Sequence, residues 1–225
     1  MAKYNTHSVK IDIDDSILND ALKKRLIDQT WEKDEASSID MLDRDSCVLE
    51  LGACIGVVST LINKRISNPQ NHVAIETNIK LIETLNKVKQ DNGCGFHIVN
   101  AFLSVYPNDI KDFSIHPNHI MGGRLGKAKG FEHIKCKGIT LQELEKKFNL
   151  QFDTIVMDIE QGEYELYHNG FFAEENIQNI KSMMIEFHNN KDKDTVRTHI
   201  MKQFNEKIIK VHGNNNGVYF YTRKL

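Results

Sequence analysis

Thr154-Ile155-Val156-Met157-Asp158-Ile159-Glu160-Gln161-Gly162-Glu163 decides the fold of this chain. Four apolar residues read as a buried strand, and three carboxylates follow where that strand should pass into a helix. Burying unpaired carboxylates is costly, so a cluster at a strand end marks a place where chemistry is done. About a hundred residues upstream, Val48-Leu49-Glu50-Leu51-Gly52-Ala53-Cys54-Ile55-Gly56 has the same form: strand, glycine turn, helix. Two such strand ends predict a nucleotide-type cofactor at the carboxyl edge of a parallel sheet.

Outward from these stretches, strands and helices alternate. Strands are expected over 47–51, 72–76, 96–99, 152–157 and 182–187, and helices over 57–65, 79–90, 164–169 and 194–205. Alternation of this kind builds a doubly wound, Rossmann-like α/β sheet. The end departs from it: 207–211 and 218–222 flank Gly213-Asn214-Asn215-Asn216-Gly217, the pattern of an antiparallel hairpin. The expected fold is a seven-stranded, mostly parallel sheet closed by that hairpin.

Three segments lie outside this rhythm. Residues 1–13 are polar, show no evident period and read as a loose arm. Ser16 is expected to cap a helix carrying Ile17, Leu18, Leu22, Leu26 and Ile27, with a second short helix over 37–42. Residues 106–131, with His116-Pro117-Asn118-His119 and Gly122-Gly123-Arg124-Leu125-Gly126, are long for a connection and read as either a functional lid or a poorly ordered insert. Beyond them, Thr140 and Glu143 form a capping-box pattern for a helix over 141–148.

With 225 residues, 40% of them hydrophobic, the chain has material for one domain. A formal charge of −2 with acids and bases well mixed argues against a nucleic-acid binder. No apolar run reaches membrane-spanning length, and the first residues lack a signal peptide's apolar region. Cys47, Cys54, Cys94 and Cys136 show no metal or redox spacing, which fits a soluble protein of the reducing cytoplasm.

Gly52-x-x-x-Gly56 is not the Gly-x-Gly-x-x-Gly turn that cradles a pyrophosphate. Glu50 before it would repel a pyrophosphate and suit a cationic amino-acid moiety. Glu76, ending the next strand, is placed to accept hydrogen bonds from ribose hydroxyls. The competing structural reading is a tight strand–helix turn with two exposed glutamates.

At this point the chain resembles the class I S-adenosylmethionine-dependent methyltransferases, and more narrowly the FkbM family. The resemblance rests on Glu50-Leu51-Gly52-Ala53-Cys54-Ile55-Gly56, on Glu76 followed by Asn78, on Asp158 to Glu163, and on Glu186-Phe187-His188. That family's Asp-x-Glu-Gly-x-Glu signature appears here as Asp-x-Glu-Gln-Gly-Glu, with glycine one place late. The likeness spans roughly 45–222, which implies N-terminal arm and helices over 1–44 and a methyltransferase domain over 45–225. It implies that Glu50, Gly52, Ala53, Cys54 and Gly56 hold the methionine part of S-adenosylmethionine. Glu76 and Asn78 would hold the ribose, Asn100 and Ala101 would border the adenine, and Asp158 would lie beside the methyl.

Methyl transfer to a hydroxyl needs alignment and removal of a proton. His188 is the first candidate base and Asp158 the second, with Glu186 orienting His188 or binding the acceptor. Alternatively, Asp158, Glu186 and His188 hold Mg²⁺ or Mn²⁺, which would acidify the hydroxyl. Each has a bland reading: Glu160 and Glu163 as helix N-terminal charges, His188 as a surface histidine, Trp31 as an anchor for the N-terminal helix. Arg124 reads equally as a clamp for an anionic acceptor or as a solvated side chain. The function implied by the resemblance is O-methylation of a sugar hydroxyl in a glycan or glycoconjugate. The alternatives are another small molecule, a protein or RNA as acceptor, or a non-catalytic module of the same fold.

Overall fold

A computed structural model describes residues 2–117, 119–212 and 216–224. The chain opens with β1 (Ala2–Thr6) and β2 (Val9–Ile13), an antiparallel hairpin. This corrects the expected loose arm. Val9, Ile11 and Ile13 alternate, and all three are buried; the period of two is present in the sequence but spans only one face of a short strand. They pack with Leu22 and Leu26 of α1 (Asp20–Ile27), Trp31, and Val57 and Val88 farther along the chain. Asn19, not Ser16, caps α1, accepting from Leu22 N at 2.9 Å; Ser16 sits in a preceding 3₁₀ turn capped by Asp14. The next helix, α2 (Lys33–Ser38), begins four residues earlier than expected and runs into a 3₁₀ turn over Ile39–Met41.

The alternating region follows as β3 (Val48–Leu51), α3 (Val57–Arg65), β4 (His72–Glu76), α4 (Ile82–Asp91), β5 (His97–Asn100) and the short β6 (Phe102–Leu103). The described residues within 106–131 are regular structure rather than a poorly ordered insert, and several of them line a cleft. They form β7 (Ile110–His116) and β8 (His119–Leu125), which join β9 (Glu132–Ile139) and β6 in a separate sheet of order β6-β9-β7-β8. Phe113, Ile115 and Cys136 build its small core with Phe102. The glycines are part of that packing: a Cβ on Gly123 would meet the Phe113 ring at 2.3 Å.

The chain then continues through α5 (Leu141–Phe148), β10 (Thr154–Met157), α6 (Gly162–His168), α7 (Glu174–Ile177), β11 (Ser182–Phe187), α8 (Lys193–Ile200), β12 (Phe204–Val211) and β13 (Gly217–Arg223). Thr140 and Glu143 form the expected capping box on α5. Helix α8 stops at Ile200 rather than 205, because buried Phe204 already belongs to β12. Gly213, Asn214 and Asn215 of the expected hairpin turn lie outside the described residues.

The central sheet has the order β12-β13-β11-β10-β3-β4-β5. Strands β5, β4, β3, β10 and β11 pair in parallel, and β13 runs antiparallel between β11 and β12. Both faces are covered, so the strands read as near-continuous apolar runs. Leu49, Ile155 and Ile185 face one core with α5 to α8, and Val48, Val156 and Met184 face the other with α3. Because β3 ends beside β10, with Met157 paired to Leu51, the two glycine- and acid-rich turns emerge side by side.

Candidate active site

The turn after β3 is defined by two glycines in the left-handed region. Gly52 has φ +89°, and a Cβ there would lie 1.8 Å from the backbone oxygen of Asp158. The absent side chain therefore admits the neighbouring turn of this protein. Gly56 has φ +90°, and its Cβ would strike Leu85 of α4 at 2.7 Å, so it permits helix-to-helix contact.

A cleft of about 970 Å³, its mouth included, opens above these turns. Glu76 lies in its wall. Its Oε2 accepts from Cys54 N at 2.7 Å and its Oε1 from Asn78 N at 2.6 Å. Burial pushes this carboxyl up to about 7 against the pull of those amides. A carboxylate has about four lone-pair sites, so acceptor capacity remains for a hydroxyl donor. Asn78 caps the next turn through Lys80 N and donates to Ile120 O at 2.8 Å, tying the cleft to β8.

Gly52, Cys54, Glu76, Asn78 and Asp158 line this cleft together. Glu50 does not: side chains alternate along β3, and its carboxylate lies on the α3 face, 3.0 Å from His72 Nε2. Ala53 and Gly56 shape the turn without lining the cleft, and the same is true of Asn100 and Ala101. The Asn100 amide is engaged by Glu76 O and Thr77 O at 2.8 and 3.1 Å. Phe102, Leu103 and Ser104, one step on, supply the wall instead, joined by Lys111 and Phe113 of β7. These were not legible in advance, because nothing in 106–131 marked it as a sheet.

Asp158 stands at the boundary between this cleft and an outer pocket of about 1320 Å³, mouth included, which also holds Glu160, Glu186 and His188. His188 is enclosed by carboxylates. Glu163 Oε1 accepts both the His188 backbone N–H at 3.0 Å and its ring Nδ1–H at 3.1 Å. Nε2 lies 3.5 Å from Glu160 and 3.7 Å from Asp158, and the Tyr164 hydroxyl donates to the His188 carbonyl. Burial alone would lower the imidazole's pKa, but Glu163, Asp158 and Glu160 outweigh it and raise it to about 9. His188 is thus a held imidazolium, not a surface histidine. Glu163 is fully buried, far from a solvated helix-end charge.

Burial raises the carboxyls of Asp158 and Glu186, with Glu160 and Glu35 adding repulsion and His188 opposing it at Asp158. Asp158, Glu186 and His188 each offer an atom within 4.8 Å of the others, a donor set of two oxygens and one nitrogen. The N-terminal segment contributes as well: Trp31 and Glu32 line both the cleft and the outer pocket. Trp31 is an anchor in the N-terminal core, with the Arg25 guanidinium 4.7 Å above its ring. Arg124 packs on Phe131 at 5.3 Å and lines neither cavity.

Solved structures share this architecture at low identity. A precorrin-6y C5,15-methyltransferase from Geobacter metallireducens matches with a TM-score of 0.52 and 14% identity, over 95% of this chain and 98% of its own. An O-methyltransferase from Bacillus cereus, in complex with SAH, matches at 0.50 and 11%, over 94% and 92%. An rRNA methylase from Streptococcus thermophilus matches at 0.50 and 8%, over 85% and 94%. Among curated proteins none matches the chain in sequence. The family model of the methyltransferase FkbM domain matches residues 50–212, from Glu50 through both acid-rich turns to the end of β12, and the chain belongs to that family.

Proposed function

We propose that the chain is an S-adenosylmethionine-dependent O-methyltransferase whose acceptor is a sugar hydroxyl in a glycan or glycoconjugate. The observation that carries the methyl-transfer reading is the shared position of Asp158, at the boundary between a cleft walled by Glu76 and a polar outer pocket. The residues fit the cofactor. Glu76 retains acceptor capacity for ribose hydroxyls, Phe102 and Leu103 offer apolar surface for a base, and Gly52 and Cys54 line the part of the cleft where the methionine part would lie. Bound there, S-adenosylmethionine supplies an electrophilic methyl group. The sugar rests on the family, and the first 44 residues as an N-terminal unit on the extent of the resemblance.

The protein's work is alignment, worth on the order of 7–11 kcal/mol in well-oriented reactions, and proton removal. His188 is already protonated in this setting, which disfavours it as the base. Asp158, with its carboxyl raised to about 7, is better matched to take a hydroxyl proton near neutrality. His188 then balances charge, and Glu163 holds its ring in place. The Asp158, Glu186 and His188 donor set also suits Mg²⁺ or Mn²⁺, once the imidazole gives up its proton. Such an ion would acidify the acceptor hydroxyl.

No described helix is long and apolar enough to cross a membrane. Nucleic acid is set aside only on the charge balance, and an rRNA methylase among the structural relatives gives that exclusion no support.

Calorimetric titration with S-adenosylhomocysteine, with and without Mg²⁺ or Mn²⁺, tests the cofactor half. One site per chain is expected. No heat of binding under either condition would overturn the reading and favour a non-catalytic module. Transfer of labelled methyl to sugar acceptors, with EDTA inhibition reversed by the metal, then tests acceptor and ion.

A further inference from the structure

Glu32 lies before the region matched by the family, yet it lines three adjoining cavities: the cleft, the outer pocket and a small acidic recess of about 330 Å³ between them. Asp158 lines the same three. Glu32 has φ +50°, left-handed for a residue with a side chain, and it makes no side-chain capping bond to α2 although it precedes that helix. Strain of this kind persists where surrounding structure imposes it, and it concentrates at functional sites. Here the imposing structure is visible. The β1–β2 turn grips the segment, with His7 Nε2 2.7 Å from Trp31 O and the His7 N–H donating to Gln29 Oε1 at 3.3 Å. Arg25 stacks on Trp31 from α1.

The Glu32 Oε2 atom is sealed from water and has no hydrogen-bond partner, and the same is true of Asp158 Oδ1. Burial and the nearby Glu35, Asp158 and Glu50 hold the Glu32 carboxyl well above its usual range. Two sealed carboxyl oxygens thus border one junction: the His188 imidazolium stands 3.7 Å from Asp158 Oδ1, and Glu32 Oε2 has no hydrogen-bond partner. Without a cation beside it, the Glu32 carboxyl keeps its proton; a cation arriving there would displace that proton and form an ion pair. The Arg25 guanidinium covers one face of the neighbouring Trp31 ring.

We propose that Glu32 flanks the sulfonium of the methyl donor and favours the charged donor over the neutral thioether product. This rests on S-adenosylmethionine being the cofactor. In the reaction the S–CH₃ bond breaks as the O–CH₃ bond forms. The sulfur takes the bonding electron pair and becomes neutral, and the hydroxyl proton leaves to a base. Glu32 then loses its ionic partner, which weakens retention of the product. Residues upstream of the family region would thereby set the discrimination between donor and product.

The test is calorimetric. S-adenosylmethionine, sinefungin, which carries an ammonium in place of the methylsulfonium, and S-adenosylhomocysteine are each titrated into the wild type and Glu32→Gln. Loss of a nearby charge should weaken the two cationic ligands about tenfold or more and change the thioether less than about twofold. Equal weakening of all three would overturn the proposal, since Glu32 would then serve a shared part of the ligand or the fold. No change in any would overturn it too. Failure of the wild type to bind any of the three would instead remove the cofactor reading itself. If Glu32→Gln does not fold, Glu32→Asp keeps the charge but withdraws it by one methylene; the affinity of the cationic ligands relative to the thioether should fall, and an unchanged relative affinity counts against the proposal.

Discussion

Gly52 and Asp158 are in backbone contact: any Cβ on Gly52 would sit 1.8 Å from the Asp158 carbonyl oxygen. The two turns that define the site are therefore one packed unit, and the conformation of the first fixes the position of the second. Gly52→Ala would meet both this overlap and a φ of +89°. The left-handed conformation costs roughly 1–2 kcal/mol for an alanine, and relieving the overlap roughly 1–3 kcal/mol more. Urea unfolding should show a loss of about 2–5 kcal/mol. Because relief moves Asp158, binding of S-adenosylhomocysteine should fall as well. A variant with unchanged unfolding midpoint would show that the two turns are not in contact.

Gln161 stands where the family's pattern has glycine, and its φ is +75°. Its neighbour Glu160 is also left-handed, at +50°. The glycine that follows cannot relieve this, since a Cβ on Gly162 would meet Ile159 at 2.9 Å, so that position needs its own glycine for packing. Gln161→Gly removes strain of order 1–3 kcal/mol and adds unfolded-chain entropy worth about 0.4–1 kcal/mol. The expected outcome is a net stabilisation of up to roughly 2 kcal/mol, read as a higher Tm. A lower Tm would mean that the Gln161 side chain makes up for its backbone.

The imidazolium at His188 has a measurable signature. Its folded pKa is about 9 against an ordinary 6.5. The folded state therefore binds the proton more tightly than the unfolded one. The stability this supplies is fully present below about pH 6.5 and is lost as pH rises through about 9. Nuclear magnetic resonance titration of the His188 ring should place its midpoint well above that of exposed histidines. Glu163→Gln removes the carboxylate at Nδ1 and should move the midpoint down. A His188 midpoint at or below the ordinary value in the wild type would restore it as the favoured base.

The legible part of the fold was the part written in long apolar runs and glycine turns. Strands β4 and β11 and helix α3 fall where the pattern put them, because both sheet faces are buried and the sequence between must be helical to cross over. The hairpin at the start and the sheet of β6 to β9 were missed for different reasons. The hairpin buries one face only, so Lys10 alternates with apolar neighbours and resembles a loop. In β7, polar Ser114 is buried between Phe113 and Ile115 while Ile110 is exposed, so no period of two is visible. The site shows a similar division. Glu76 and Asp158 end strands and announce themselves, whereas Glu32 reaches the site through a left-handed turn that no spacing rule marks. Glu50 is the opposite case: it is conspicuous in the motif, but strand alternation turns it to His72.

Glu76 offers the last test; its stability contribution has the same sign as that of His188 but falls in a lower pH window. Its carboxyl is raised from 4.5 to about 7 by burial. The folded state therefore holds a proton that the unfolded state has released, so stability falls as pH rises from about 4.5 to about 7 and is level above. The loss across that range is on the order of 3 kcal/mol. Glu76→Gln should remove this slope. It should also lower stability by roughly 1–3 kcal/mol at pH 5, because its single oxygen can serve only one of the Cys54 and Asn78 amides. Cofactor affinity should run the other way in the wild type. Ribose hydroxyls donate to a carboxylate, so S-adenosylhomocysteine should bind more tightly as pH rises through about 7. Calorimetry across pH 5 to 8 on both proteins separates the two effects. A wild-type affinity that does not change with pH would mean that the ribose is held elsewhere.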